Sequence, residues 1–123
     1  MAKFTVTMAI PDITLADLLI SAVEGGSNYW AKFREYDHGY GINGSTCEIS
    51  RVHVEVCDVE GGSKGFVDVT VETMARGLQT LANLSSKGEM PGRHIANVIN
   101  ENWDAETADV VLQMALFGKV IYG

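Results

Sequence analysis

Val52, Val54 and Val56 alternate with Arg51, His53, Glu55 and Cys57, and after the glycine-rich EGGSKG a second alternation follows in Val67, Val69 and Val71. A two-residue period puts successive side chains on opposite faces of a strand, so each run reads as a strand with one apolar face. Two such strands joined by glycines predict an antiparallel hairpin. From Thr70 the period lengthens, because Val71, Met74, Ala75, Leu78, Leu81 and Ala82 lie on one face of a helix. A hairpin with an apolar face to cover, followed at once by an amphipathic helix, points to helices layered on a sheet. Thr70 is the expected N-cap of that helix and SSKGEMPG its end. Ile49 is out of phase with Val52, which predicts a bulge or a strand start near Ser50.

The flanking segments extend this pattern. Phe4, Val6, Met8 and Ile10 alternate with Lys3, Thr5, Thr7 and Ala9 and predict a strand that Pro11 ends. Leu15, Leu18, Leu19, Ala22 and Val23 recur at helical spacing, with Asp12 or Thr14 as N-cap and Gly25 as a left-handed stop. Ile95, Val98 and Ile99 mark a short third helix. NWDAETADVVLQMALFG begins a fourth: Asp104 caps it, Glu106 and Asp109 suit its dipole, Val110, Val111, Met114 and Phe117 form its buried stripe, and Gly118 stops it. The closing KVIYG reads as an apolar tail that adds a strand or plugs the core. The order predicts an α+β fold, a small antiparallel sheet of the N-terminal strand plus the hairpin, packed by about four helices on one face. With 123 residues, 46% hydrophobic and 20% charged, the chain suits a single globular domain over 1–123.

Charge and motif content narrow the function. A net charge of −7, without a cluster of Lys or Arg, repels phosphate backbones and argues against nucleic acid as a partner. No apolar run approaches the roughly 18 residues that span a bilayer, so no membrane partner is expected. The opening MAKFTVTMAIPD lacks a signal-peptide cleavage pattern, and cytoplasmic residence is the expectation. Cys47 and Cys57 then read as free thiols. His38, His53 and His94 have no partner at ligand spacing, so neither a metal nor another cofactor is expected. No G-x-S-x-G, G-x-x-x-x-G-K or H-E-x-x-H occurs. An enzyme whose catalytic groups assemble from distant residues stays open, without positive support.

The stretch VEGGSNYWAKFREYDHGYGING, residues 23–44, holds the candidate binding residues. A phosphate cradle needs a strand, a glycine turn and then a helix start, whereas Gly25 and Gly26 follow a helix. A variant reading has Ser27 capping a new turn over NYWAKF, whose free amides hold a carboxylate or phosphate. On such a helix Trp30 and Phe33 share a face while Tyr29 and Tyr36 lie elsewhere. Asn28, Tyr29, Trp30 and Tyr36, with Tyr40, therefore form a candidate aromatic and polar patch for a macromolecular partner, against the plainer reading of Trp30 as core. A second candidate is a polar pocket for a small molecule, formed by Ser27, Asn28, Arg93, Asn97 and Asn100 between the glycine corner and the start of the last helix.

SAVEGGSNYW after the first helix and INENWDAETADVVLQMALFGKVIYG at the end resemble small, mostly uncharacterised proteins of tailed bacteriophages and prophages, in which GLQ followed by LA also occurs, as here at Gly77 to Ala82. The resemblance covers chiefly the two ends of the chain. It implies a non-enzymatic accessory protein that binds a host protein in the bacterial cytoplasm, for counter-defence or host takeover, by analogy of context. A small-molecule, nucleotide-like sequestering protein is the alternative, and an enzyme of unknown class the third. A homo-oligomer suits either of the first two, since the apolar VIYG and an edge strand can pair across a twofold.

Overall fold

The computed structural model describes the backbone of residues 9–40, 46–57 and 62–123 and the side chains of 9–35, 51–57 and 62–123. Helix α1 (Asp12–Ser21) continues into a π turn (Ala22–Gly26). Strands β1 (Ala31–Tyr40), β2 (Thr46–Cys57) and β3 (Ser63–Thr70) follow, then helices α2 (Val71–Ser86), α3 (Arg93–Ile99) and α4 (Ala105–Phe117). The fold is α+β, and its antiparallel sheet runs β1-β2-β3. The expected hairpin is β2 and β3, with Val54 opposite Val67 and Val52 opposite Val69. The strand expected over Phe4 to Ile10 lies outside the described residues apart from Ala9 and Ile10, which carry no strand assignment.

The third strand of the described sheet comes from a segment to which the sequence assigns no regular element, only the variant helical turn over NYWAKF. Ala31 and Phe33 face the core while Lys32 and Arg34 alternate away, but only four residues keep that phase. Glu35 then takes a left-handed φ of 56°, and the pairing with β2 shifts register between Arg34 and Asp37. A bulge breaks the two-residue period, and with it the pattern that marks a strand. A second irregularity sets residues 47–51 against 37–39, around the out-of-phase Ile49.

Several expected caps hold. Thr70 and Thr73 form a reciprocal capping box at α2. Asp104 accepts from the Thr107 N–H at 2.9 Å, and Gly118 ends α4 in the left-handed conformation. Two expectations at α1 do not hold. Its N-cap is Pro11, whose carbonyl accepts from Thr14 and Leu15 N–H. Gly25 is not a left-handed stop, since positive φ among the described glycines is confined to Gly65, Gly88 and Gly118. The helix instead widens into the π turn and runs through both glycines, closing on the Ser27 N–H to Ala22 carbonyl bond of 2.9 Å.

The inner face of the sheet, with Val52, Val54 and Val69 fully buried, is covered by α1 and α2. Helix α4 packs behind them against α2, α1 and the π turn. Every residue from Thr107 to Met114 is buried, so the single apolar stripe expected for α4 is corrected to a helix enclosed on all sides. Gly26 lets the π turn approach it: a Cβ there would lie 2.6 Å from the Ala105 carbonyl oxygen. That enclosure carries Asp109 and Gln113 into the interior.

Candidate functional site

Four side chains converge on the Asp109 carboxylate. Ser27 Oγ and Trp30 Nε1 each donate to Oδ1 at 2.7 Å, while the Tyr29 hydroxyl at 2.5 Å and Gln113 Nε2 at 3.1 Å donate to Oδ2. Three of the donors, Ser27, Tyr29 and Trp30, lie within four residues of the turn after the π helix. That turn is pinned by the Trp30 and Ala31 N–H groups, both donating to the Ser27 carbonyl at 3.2 and 3.0 Å. Four neutral donors and, among the described residues, no cation partner make Asp109 a buried acceptor whose lone pairs are used by neutral groups.

Gln113, one helical turn on from Asp109, extends the network to the end of the chain. Its Oε1 accepts from the Ile121 and Tyr122 N–H groups at 2.8 and 2.9 Å, and its Nε2 donates to the Tyr122 carbonyl at 2.9 Å. Of the two readings of KVIYG, an added strand or a plug of the core, the segment takes the second: it carries no strand, and Tyr122 packs against the core. The Tyr122 ring stacks on Trp30 with centroids 5.4 Å apart and planes 4° apart, beside Phe117.

The Tyr29 ring is 55% exposed although its hydroxyl is held. Removal of that hydroxyl from water, then the hydrogen bond and charge of Asp109, raise its pKa to about 12. Tyr29 therefore stays neutral through the physiological range, with its oxygen held while more than half of the residue is exposed.

An open cleft of about 500 Å³ lies between the glycine corner and the start of α4. It is lined by Gly25, Gly26 and Tyr29 of the corner, by Ala105, Glu106, Asp109 and Val110 of α4, and by Val120, Tyr122 and Gly123 of the segment that follows α4. None of the five polar residues expected to form a pocket, Ser27, Asn28, Arg93, Asn97 and Asn100, lines it. Arg93 is exposed and pairs with Glu106 at 3.0 Å, Asn97 is half-buried beside Thr107, and Asn100 is exposed at the end of α3.

The other candidates are divided. Ser27 is buried and does not cap a helix, because the chain enters β1 four residues later and its hydroxyl serves Asp109. Trp30 is 1% exposed and belongs to the core, which removes it from a surface patch. Asn28 is exposed next to Tyr29. Tyr36 and Tyr40 lie on β1, and their side chains are outside the described set. Among the described residues no group of three His, Cys, Asp or Glu side chains could hold a metal ion, and no helix is long and apolar enough to cross a membrane.

By sequence alone Asp109 suits the helix dipole and Gln113 has no assigned role. The available signal was their spacing: two polar residues four apart within TADVVLQMALF share one face of an otherwise apolar helix.

The outer face of the sheet carries a second ordered group. Phe66, 54% exposed, stacks on His53 with centroids 5.0 Å apart and lies 5.7 Å beneath the Arg34 guanidinium. Arg34 pairs with Glu55 at 2.9 Å, and Arg51 and His53 both reach Asp68. No protein-family model matches the chain, and no curated protein or solved structure matches it.

Proposed function

We propose that the protein acts by binding, as a non-enzymatic accessory protein of a tailed phage or prophage that engages a host protein in the bacterial cytoplasm, in counter-defence or host takeover. The observation that carries this reading is the Tyr29 ring, more than half exposed while its hydroxyl is pinned by Asp109. A large ring that loses little freedom on docking is what the energetic centres of protein interfaces use. Asn28 is exposed beside it, and Val120, which lines the same cleft, and Ile121 are exposed as well. The phage setting rests on the resemblance of the two ends of the chain.

Affinity capture from bacterial lysate, followed by calorimetry with the purified partner, tests it. Tyr29→Phe keeps the ring and Tyr29→Ala removes it, with circular dichroism confirming that both fold. A partner kept by wild type and Tyr29→Phe and lost by Tyr29→Ala supports the reading. Equal recovery by wild type and Tyr29→Ala sinks it.

The cleft favours a second reading, a small-molecule binder or sponge. A ligand at 100 times its dissociation constant adds about 2.7 kcal/mol to folding stability. A thermal-shift survey of nucleotides and cyclic nucleotides reads this directly, and the absence of any shift removes the support.

A further inference from the structure

Neither binding reading uses the outer face of the sheet, the side turned away from α1 and α2. Register puts Lys32, Glu55 and Phe66 in one row across the three strands, and Arg34, His53 and Asp68 in the next. Phe66 is more than half exposed, where a ring of that size is ordinarily buried. It is also held in place: the His53 ring stacks on it with planes 16° apart, and the Arg34 guanidinium lies over it. Three planar groups thus form one stack that reaches water. The charge around that stack is opposite to that of the chain. The Glu55 side chain is 12% exposed and held by Arg34, whose own is 52% exposed, so water meets the cation rather than the anion. Lys32 is exposed in the same row and Lys64 two residues before Phe66, and neither has an ion-pair partner among the described residues. Asp68, two residues after Phe66, is shared by Arg51 and His53.

We propose that this face binds a single strand of nucleic acid, with one base stacked on Phe66 and the adjoining phosphates met by Lys32 and Lys64. Charge complementarity calls for an anion, and the planar stack selects among anions. Unpaired bases stack on aromatic rings and guanidinium planes, whereas the carboxylates of an acidic peptide sit on aliphatic stems that gain nothing from such a stack. A duplex keeps its base faces inside its own stack and is not the occupant. The net charge of −7 opposes a phosphate backbone only on average. Screening cuts charges off beyond about 8 Å at physiological ionic strength, so the cations beside Phe66 govern what a bound strand meets. In sequence these cations are scattered over positions 32, 34 and 64, and pairing through β2 gathers them. The inference is independent of the host-protein reading, which rests on Tyr29.

Fluorescence anisotropy of labelled oligo(dT) of about 12 nucleotides, titrated with the full chain over a salt series, provides the test. Phe66→Ala should weaken binding roughly 5- to 150-fold at fixed salt, the range found when a base loses its stacking ring. Phe66→Trp, which keeps a stacking surface, should bind at least as tightly as the wild type. The logarithm of affinity falls with that of salt by roughly 0.7 for each phosphate contacted on a single strand. Lys32→Gln combined with Lys64→Gln should therefore make the slope shallower by about 1.4. Lys87→Gln, at the C-terminal end of α2 and away from the sheet, should leave it unchanged. All the substituted residues are exposed, and circular dichroism checks that the variants fold. Absence of saturable binding at low salt, or equal affinity for wild type and Phe66→Ala, overturns the proposal. Polyglutamate competing as well as unlabelled oligo(dT) overturns it too, since the face would then serve acidic protein segments.

Discussion

Asp109→Ala removes the acceptor on which the corner is built, and its cost follows from what is left behind. Ser27 is 0% and Trp30 1% exposed, so neither donor can turn to water when the carboxylate is gone. A buried donor without a partner costs about 1–3 kcal/mol, which puts the loss for these two at about 2–6 kcal/mol. Tyr29 and Gln113 add less, since Tyr29 reaches solvent and Gln113 keeps its bonds to the terminal segment. Such a loss is a large part of the roughly 5–15 kcal/mol that holds a domain folded. Asp109→Asn separates hydrogen bonding from packing. Its oxygen still accepts from Ser27 and Trp30, and the Tyr29 hydroxyl can rotate to accept from its amide. Only the Gln113 donor is opposed, for an expected loss of about 1–2 kcal/mol. Urea unfolding followed by tryptophan fluorescence and far-ultraviolet circular dichroism gives both values. A loss under about 0.5 kcal/mol for Asp109→Ala, the level of an ordinary surface change, or an asparagine variant as costly as alanine, would refute the reasoning.

Adjacent glycines give opposite signs. Gly25→Ala meets nothing within 4 Å in a helical turn and should stabilise by about 0.5–1 kcal/mol, whereas Gly26→Ala meets the Ala105 carbonyl at 2.6 Å and should destabilise by about 1–3 kcal/mol; equal midpoints in thermal melts would contradict this. His94 is buried against Thr107 with its pKa lowered, first by burial and then by Arg93. Its folded value lies below the unfolded 6.5, so the stability it contributes is complete above that pH and is lost as pH falls through the folded value. In pH-dependent unfolding, His94→Gln should flatten this acid limb, and an unchanged slope would show that His94 does not produce it.

The elements legible in the residues are those whose stabilising interactions are local. Alternating valines mark β2 and β3, Thr70 and Asp104 cap the helices that follow them, and Gly118 stops α4. In each case the cause lies within a few positions of the effect. Strand β1 escaped because its alternation lasts only from Ala31 to Arg34 before Glu35 bulges, so pairing with β2 supplies what the period does not.

The candidate site was legible in its parts and hidden in its arrangement. Composition set an apolar fraction sufficient for a buried core, and the aromatic residues of the corner stood out at once. Which of those rings meets water depended on residues about 80 positions away, since Asp109 draws in Ser27 and Trp30 and leaves Tyr29 at the surface. Asp109 itself reads as a partner of the helix dipole until α4 is enclosed by α2, α1 and the π turn. A chain's periodicity reports which side of an element is apolar, while a buried polar network depends on which elements meet, and that is fixed by packing in three dimensions.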